Sequence, residues 1–157
     1  MEQGLSKKCA CQIESLWEIA YMNAVSAPHL VGSLRHEIME FFASSSFPQP
    51  DLAEMETAVG EACANALKHG SPKGDLDEVR AKCMKNQHTL IVEISDNGYG
   101  FDHEDVPLPS PEMMIEGGMG VFLMKALTDS VEFEFKHGTT VRLVKNLRRI
   151  PENNQPC

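Results

Sequence analysis

The chain has 157 residues, 42% of them hydrophobic and 24% charged, which fits one globular domain and excludes a disordered chain, a coiled coil or a collagen-like fibre. Lys and Arg number 14 against 23 Asp and Glu, so the net charge of -9 argues against non-specific nucleic-acid binding and suits a basic protein partner. No apolar run is long enough for a membrane helix, and residues 1–15 lack the apolar core of a secretion signal, so the cytoplasm is the expected compartment.

Residues 1–14 are polar and are expected as a loose arm or an edge strand ahead of a domain over 15–147, with a flexible tail over 148–157. The aromatic and aliphatic run 16–22 predicts a strand. Ser26-Ala27-Pro28 predicts a helix start with Ser26 as cap, and Leu30, Leu34, Ile38, Phe41 and Phe42 follow at helical spacing. Asp51 is the expected cap of a second helix, whose stripe carries Leu52, Met55, Val59, Ala62, Cys63, Ala66 and Leu67. Gly70 and Pro72 stop it. Runs at 77–84 and 88–95 predict a hairpin turned at Lys85-Asn86-Gln87. A glycine-rich turn follows, and then an irregular stretch over 102–117 with Pro107, Pro109 and Pro111, expected as a lid. Gly117-Gly118-Met119-Gly120 opens an apolar helix, and 130–136 and 139–145 predict a last hairpin turned at His137-Gly138. This order predicts an α/β (α+β) two-layer sandwich, a mixed sheet covered on one face by about three helices. The cysteines, Cys9, Cys11, Cys63, Cys83 and Cys157, are odd in number and are expected as free thiols, with Cys63 packed in the core.

Three pieces can carry chemistry. Glu61, Asn65 and His69 stand four residues apart on the second helix, where each step drifts only about 40°. They form a polar strip beside the apolar stripe, facing either a cleft or solvent. Asp96-Asn97-Gly98-Tyr99-Gly100-Phe101 follows the clearest strand. Its glycines allow close backbone approach to a ligand, and its carboxylate can accept from an exocyclic amine. The alternative there is an ordinary turn. Gly117 to Gly120 precede a helix, where unshielded N–H groups suit an anion, or else form a plain hinge. Neither the P-loop spacing nor its lysine is present.

In this order the pieces resemble the N, G1 and G2 boxes of the Bergerat-fold superfamily, which includes gyrase-type ATPases and histidine kinases. The stretches EACANALKHG, DNGYGF, GGMGVFLM and GTTVRLVK are similar to those of the anti-sigma-factor serine/threonine kinases of bacterial partner switching. The resemblance covers roughly residues 15–146. It implies ATP and Mg²⁺ as cofactors, with Asn65 as the metal ligand and Glu61 as the catalytic base. It implies His69 near the phosphates or lid and Asp96 on the adenine amine. Gly98 and Gly100 would let the chain pass the base and ribose, with Phe101 also a nucleotide-binding residue, Gly118, Met119 and Gly120 would meet the phosphates, and Thr139 or Thr140 would complete the adenine end. The implied substrate is a serine or threonine of a small anti-anti-sigma-type antagonist, with a sigma factor as second partner and a homodimer as the assembly.

Three other readings compete. An ATP-binding module could sequester a partner without transferring phosphate, but it would need no base at Glu61. Leu34-Arg35-His36-Glu37-Ile38 looks superficially like a phosphoacceptor histidine motif, but lacks the proline that should follow and a dimerising hairpin. An energy-coupled ATPase would need a second domain.

Overall fold

The computed structural model describes residues 16–98 and 119–148. Within them the elements run β1 Glu18–Val25, α1 Pro28–Ala43, α2 Gln49–His69, β2 Glu78–Lys85, β3 Thr89–Ser95, α3 Met119–Leu127, β4 Ser130–Phe135 and β5 Thr139–Asn146. A short 3-10 turn, Gly74–Leu76, precedes β2. The expected arm, the lid and the tail beyond Arg148 lie outside the described residues.

The strands are ordered β1-β2-β3-β5-β4. The expected two-layer architecture is present. The sheet, expected to be mixed, is antiparallel at every described pairing. β2–β3 and β4–β5 are joined by short turns, and such turns permit only antiparallel neighbours.

Period-two alternation divides the sheet into two faces. Val79, Ala81 and Cys83 of β2, Leu90, Val92 and Ile94 of β3, and Val141 and Leu143 of β5 are buried against the helices. Arg80, Lys82, Glu93, Ser95 and Arg142 alternate with them toward the open face, where Arg142 bonds Glu93 across the strands at 2.8 Å. α1 answers with Val31, Leu34, Ile38 and Phe42, and α2 with Leu52, Met55, Ala58, Val59, Ala62, Cys63 and Ala66. Met124 of α3 completes the same core. Leu30, expected in the α1 stripe, is 38% exposed, because the 31-34-38-42 spacing places Val31 under the sheet instead.

Several element ends differ from expectation. β1 runs on to Val25, because β2 continues to pair with it as far as Val25 opposite Glu78. The cap of α1 is Ala27, not Ser26. Ser26 instead donates its N–H to the Asp77 carbonyl at 2.9 Å and accepts from the Ser71 hydroxyl at 2.7 Å. α2 starts at Gln49 with Pro48 as its cap, because the fixed φ of Pro50 suits a first turn. Asp51 therefore lies inside the helix, buried, 3.8 Å from Lys145 Nζ.

Lys85, expected in a turn, ends β2 facing inward and is buried. Its ammonium donates to the Phe41 carbonyl at 2.8 Å and to the Ser44 hydroxyl, and it lies 4.4 Å over the Phe41 ring. The turn itself is closed by Asn86, whose Oδ1 accepts from the N–H groups of His88 and Thr89 at 2.8 and 2.7 Å. Lys145 of β5 repeats the device. It is buried and donates to the Leu127 carbonyl at 2.8 Å and to Glu54 Oε2 at 2.6 Å. Two strand lysines thus satisfy carbonyls at the ends of α1 and α3.

Candidate functional site

The strip Glu61, Asn65, His69 lies along α2 and ends where the helix ends. Glu61 and Asn65 are half-buried and His69 is exposed. α3 packs against α2. In its first turn, a Cβ on Gly120 would stand 2.7 Å from Glu61 Oε2 and 3.7 Å from Asn65 Nδ2. A carboxylate and an amide therefore converge on backbone that carries no side chain. Met119, just before it, is 61% exposed.

The other end of the strip, about 12 Å away along the helix, meets the end of β3. Asp96 is buried there. Its N–H donates to the Thr139 carbonyl at 2.9 Å. Its Oδ1 accepts from the N–H groups of Gly98 and Thr139 at 2.9 and 3.0 Å. The hydroxyls of Ser95 and Thr140 lie 2.8 Å apart next to it. Gly138 has a φ of +113°, and a Cβ there would run into the Asp96 carbonyl, so the turn requires glycine twice over. A Cβ on Gly98 would come 2.9 Å from the Gly70 Cα and 3.2 Å from the His69 carbonyl.

Two clusters result. Glu61, Asn65 and Gly120 form one. Asp96, Gly98 and Thr139 form the other, with Thr140 beside it and the backbone of His69 at its edge. Gly100, Phe101 and Gly118 lie outside the described residues. Gly70 and Gly138 were not anticipated as site residues, because one reads as a helix stop and the other as a hairpin turn. Their closeness to Asp96 arises only when α2, β3 and β5 are folded together.

His36 is exposed on α1, 3.4 Å from Glu40. Cys63 and Cys83 are buried free thiols whose pKa values are pushed up to about 12 by burial, with the nearby Cys63 adding to the effect at Cys83. Among the described residues no group of three or more His, Cys, Asp or Glu side chains could hold a metal by itself. No described helix is long and apolar enough to cross a membrane.

Residues 24–145 match the family described as the histidine kinase-like ATPase domain. The serine-protein kinase RsbW of Bacillus licheniformis is 28% identical over 136 residues, covering 82% of this chain and 85% of that protein. The serine-protein kinase RsbW of Listeria monocytogenes is 29% identical over 136 residues, covering 80% and 87%. Among solved structures, the RsbU and RsbW domains of a Mycobacterium tuberculosis protein align with a TM-score of 0.63 at 16% identity, over 85% of this chain and 33% of that one. The chain belongs to the histidine kinase-like ATPase domain family and is an ATP-binding domain of the Bergerat fold.

Proposed function

We propose that this domain is an ATP-dependent serine/threonine protein kinase of the anti-sigma-factor type. It phosphorylates a small antagonist protein, with a sigma factor as its second partner, and works in the cytoplasm as a homodimer. The observation that carries this reading is the convergence of Glu61 and Asn65 on Gly120 at one end of the α2 strip, with the buried Asp96 carboxylate at the other. That arrangement suits an extended nucleotide, base toward Asp96 and phosphates toward Gly120. The similarity to serine-protein kinases over four-fifths of the chain supports the reaction class.

Asn65 offers a hard amide oxygen, half-buried one helical turn from the Glu61 carboxylate. This donor set fits Mg²⁺, which keeps several waters and takes its remaining oxygens from phosphates. When bound, the ion neutralises phosphate charge. Glu61 accepts the proton of the substrate hydroxyl, whose oxygen forms a bond to the γ-phosphorus while the bond to the bridging oxygen breaks and ADP leaves. Backbone N–H groups at the start of α3 suit the phosphates, and the missing side chain at Gly120 leaves room for the Glu61 carboxylate. Asp96 Oδ1 is held by two N–H groups, which leaves the rest of the carboxylate to accept from the adenine amine.

The test is intact mass of the antagonist after incubation with ATP and Mg²⁺. The wild type adds one phosphate stable to acid. Asn65→Ala loses Mg·ATP binding. Glu61→Ala keeps binding and loses transfer by 10²-fold or more, on the order expected for a general base. Transfer by Glu61→Ala at the wild-type rate overturns the assignment of the base. An acid-labile phosphate on His36 overturns the reaction class.

A further inference from the structure

Gly70 follows the last residue of α2, and its N–H donates to the Ala66 carbonyl at 2.9 Å. Its φ of -100° and ψ of 7° are open to ordinary L-residues, so the backbone conformation gives no reason for glycine here. Space does. A Cβ at this position would overlap the Cβ, Cγ and Oδ2 of Asp96, far inside any contact distance.

Asp96 has nowhere to retreat. Its side chain is anchored by the N–H groups of Gly98 and Thr139, and its own N–H is held by the Thr139 carbonyl. The Gly138 backbone closes on its carbonyl, and Gly98 closes on Gly70 itself. The carboxylate is clamped between β5 on one side and the bare Cα of Gly70 on the other. A methyl group at 70 must either rotate Oδ2 or break a bond to Oδ1.

We infer that Gly70 is a specificity-determining positioning residue: its missing side chain sets the orientation of the Asp96 carboxylate and thereby the preference for a purine that carries an exocyclic amine. The inference rests on the reading of Asp96 as the adenine acceptor and adds to it the residue that aims the acceptor. Gly70 touches no reacting atom and acts only through Asp96.

The experiment compares dissociation constants for ATP and for purine riboside triphosphate, which lacks the amine, in the presence of Mg²⁺. The wild type should prefer ATP by about tenfold or more, since a charged acceptor loses its donor in the analogue. Gly70→Ala should bring that ratio close to one, chiefly by weakening ATP. Gly32→Ala serves as control, because a Cβ there meets nothing within 4 Å, and it should keep the wild-type ratio. A general loss of structure would weaken both nucleotides alike and leave the ratio unchanged. An unchanged ratio in Gly70→Ala overturns the role of Gly70 while leaving Asp96 as acceptor. A wild type that does not discriminate overturns the Asp96 reading and this inference with it.

Should Gly70→Ala fold too poorly to measure, a double-mutant cycle decides. In Gly70→Ala/Asp96→Gly the three overlapping atoms are gone. Its thermal midpoint should match that of Asp96→Gly alone. If Gly70→Ala is as damaging in that background as in the wild type, Gly70 does not act through the carboxylate.

Discussion

At Gly120 a single hydrogen atom separates a working geometry from a crowded one. The Cβ of Gly120→Ala would press on Glu61 Oε2 at 2.7 Å, while Asn65 Nδ2 at 3.7 Å remains in ordinary contact. The Glu61 carboxylate is the flexible end of its side chain and would swing aside. The expected outcome is a drop in phosphotransfer of about tenfold or more, with ATP affinity changed less than threefold. Single-turnover transfer and nucleotide titration on the same variant check this split. Equal losses in both would place Gly120 in binding alone. Asp96 illustrates what residue-scale pattern cannot convey. Its place at a strand end, followed by glycines, is legible in the sequence, but the closeness of Gly70 and Gly138 is not, because 26 and 42 positions respectively separate them from Asp96.

The helices and strands are tied by buried lysines as well as by apolar packing. Lys145 joins β5 to the end of α3 and to the first turns of α2, through the Leu127 carbonyl, Glu54 and Asp51. Lys145→Met removes the cation and leaves Asp51 buried without its partner. The expected cost is about 3 kcal/mol of unfolding free energy, read by urea titration. Loss of less than a third of that would mean that the lysine is a surface pair in effect. The same bond sets an acid response. Its hydrogen bond from Lys145 holds the Glu54 pKa below the usual carboxylate value. This contribution is therefore present above the unfolded-state pKa and is lost as pH falls through the folded one. The slope of stability against pH in the acid range should flatten in Lys145→Met.

These lysines also explain which elements were legible. β3 and the stripe of α2 announce themselves through periodic apolar residues, and both are found as expected. Lys85 does not, because a cation beside Asn86 reads as turn chemistry until the carbonyl it satisfies, 44 residues earlier at Phe41, is brought beside it. The caps went astray for a similar reason. Ser26 and Asp51 are good cap residues by type, but Pro28 and Pro50 can occupy first turns, and the two polar side chains found tertiary partners in Ser71 and Lys145.

Across the whole molecule two collective properties make predictions. The first is the pair of buried thiols. With the folded pKa of Cys63 and of Cys83 raised to about 12, the fold favours their neutral form. Stability is full below the unfolded thiol pKa and declines as pH rises from there toward the folded value, because only the unfolded chain ionises. Denaturation midpoints should fall above about pH 9, and Cys83→Ala should reduce the slope. A flat profile to pH 11 would contradict the burial of both thiols. The second property is charge. The chain carries a net charge of -9, to which residues 102–117 contribute Asp102, Glu104, Asp105, Glu112 and Glu116 without one Lys or Arg. A free triphosphate approaching a chain of this charge is repelled, so metal and nucleotide should bind as a unit.

Calorimetric titration of ATP into the protein, with Mg²⁺ and then with chelator, meets the central claim head-on. The account predicts a saturating isotherm near one nucleotide per chain with Mg²⁺ and a large loss of affinity without it. A flat trace with Mg·ATP, in a protein that remains folded, would contradict it.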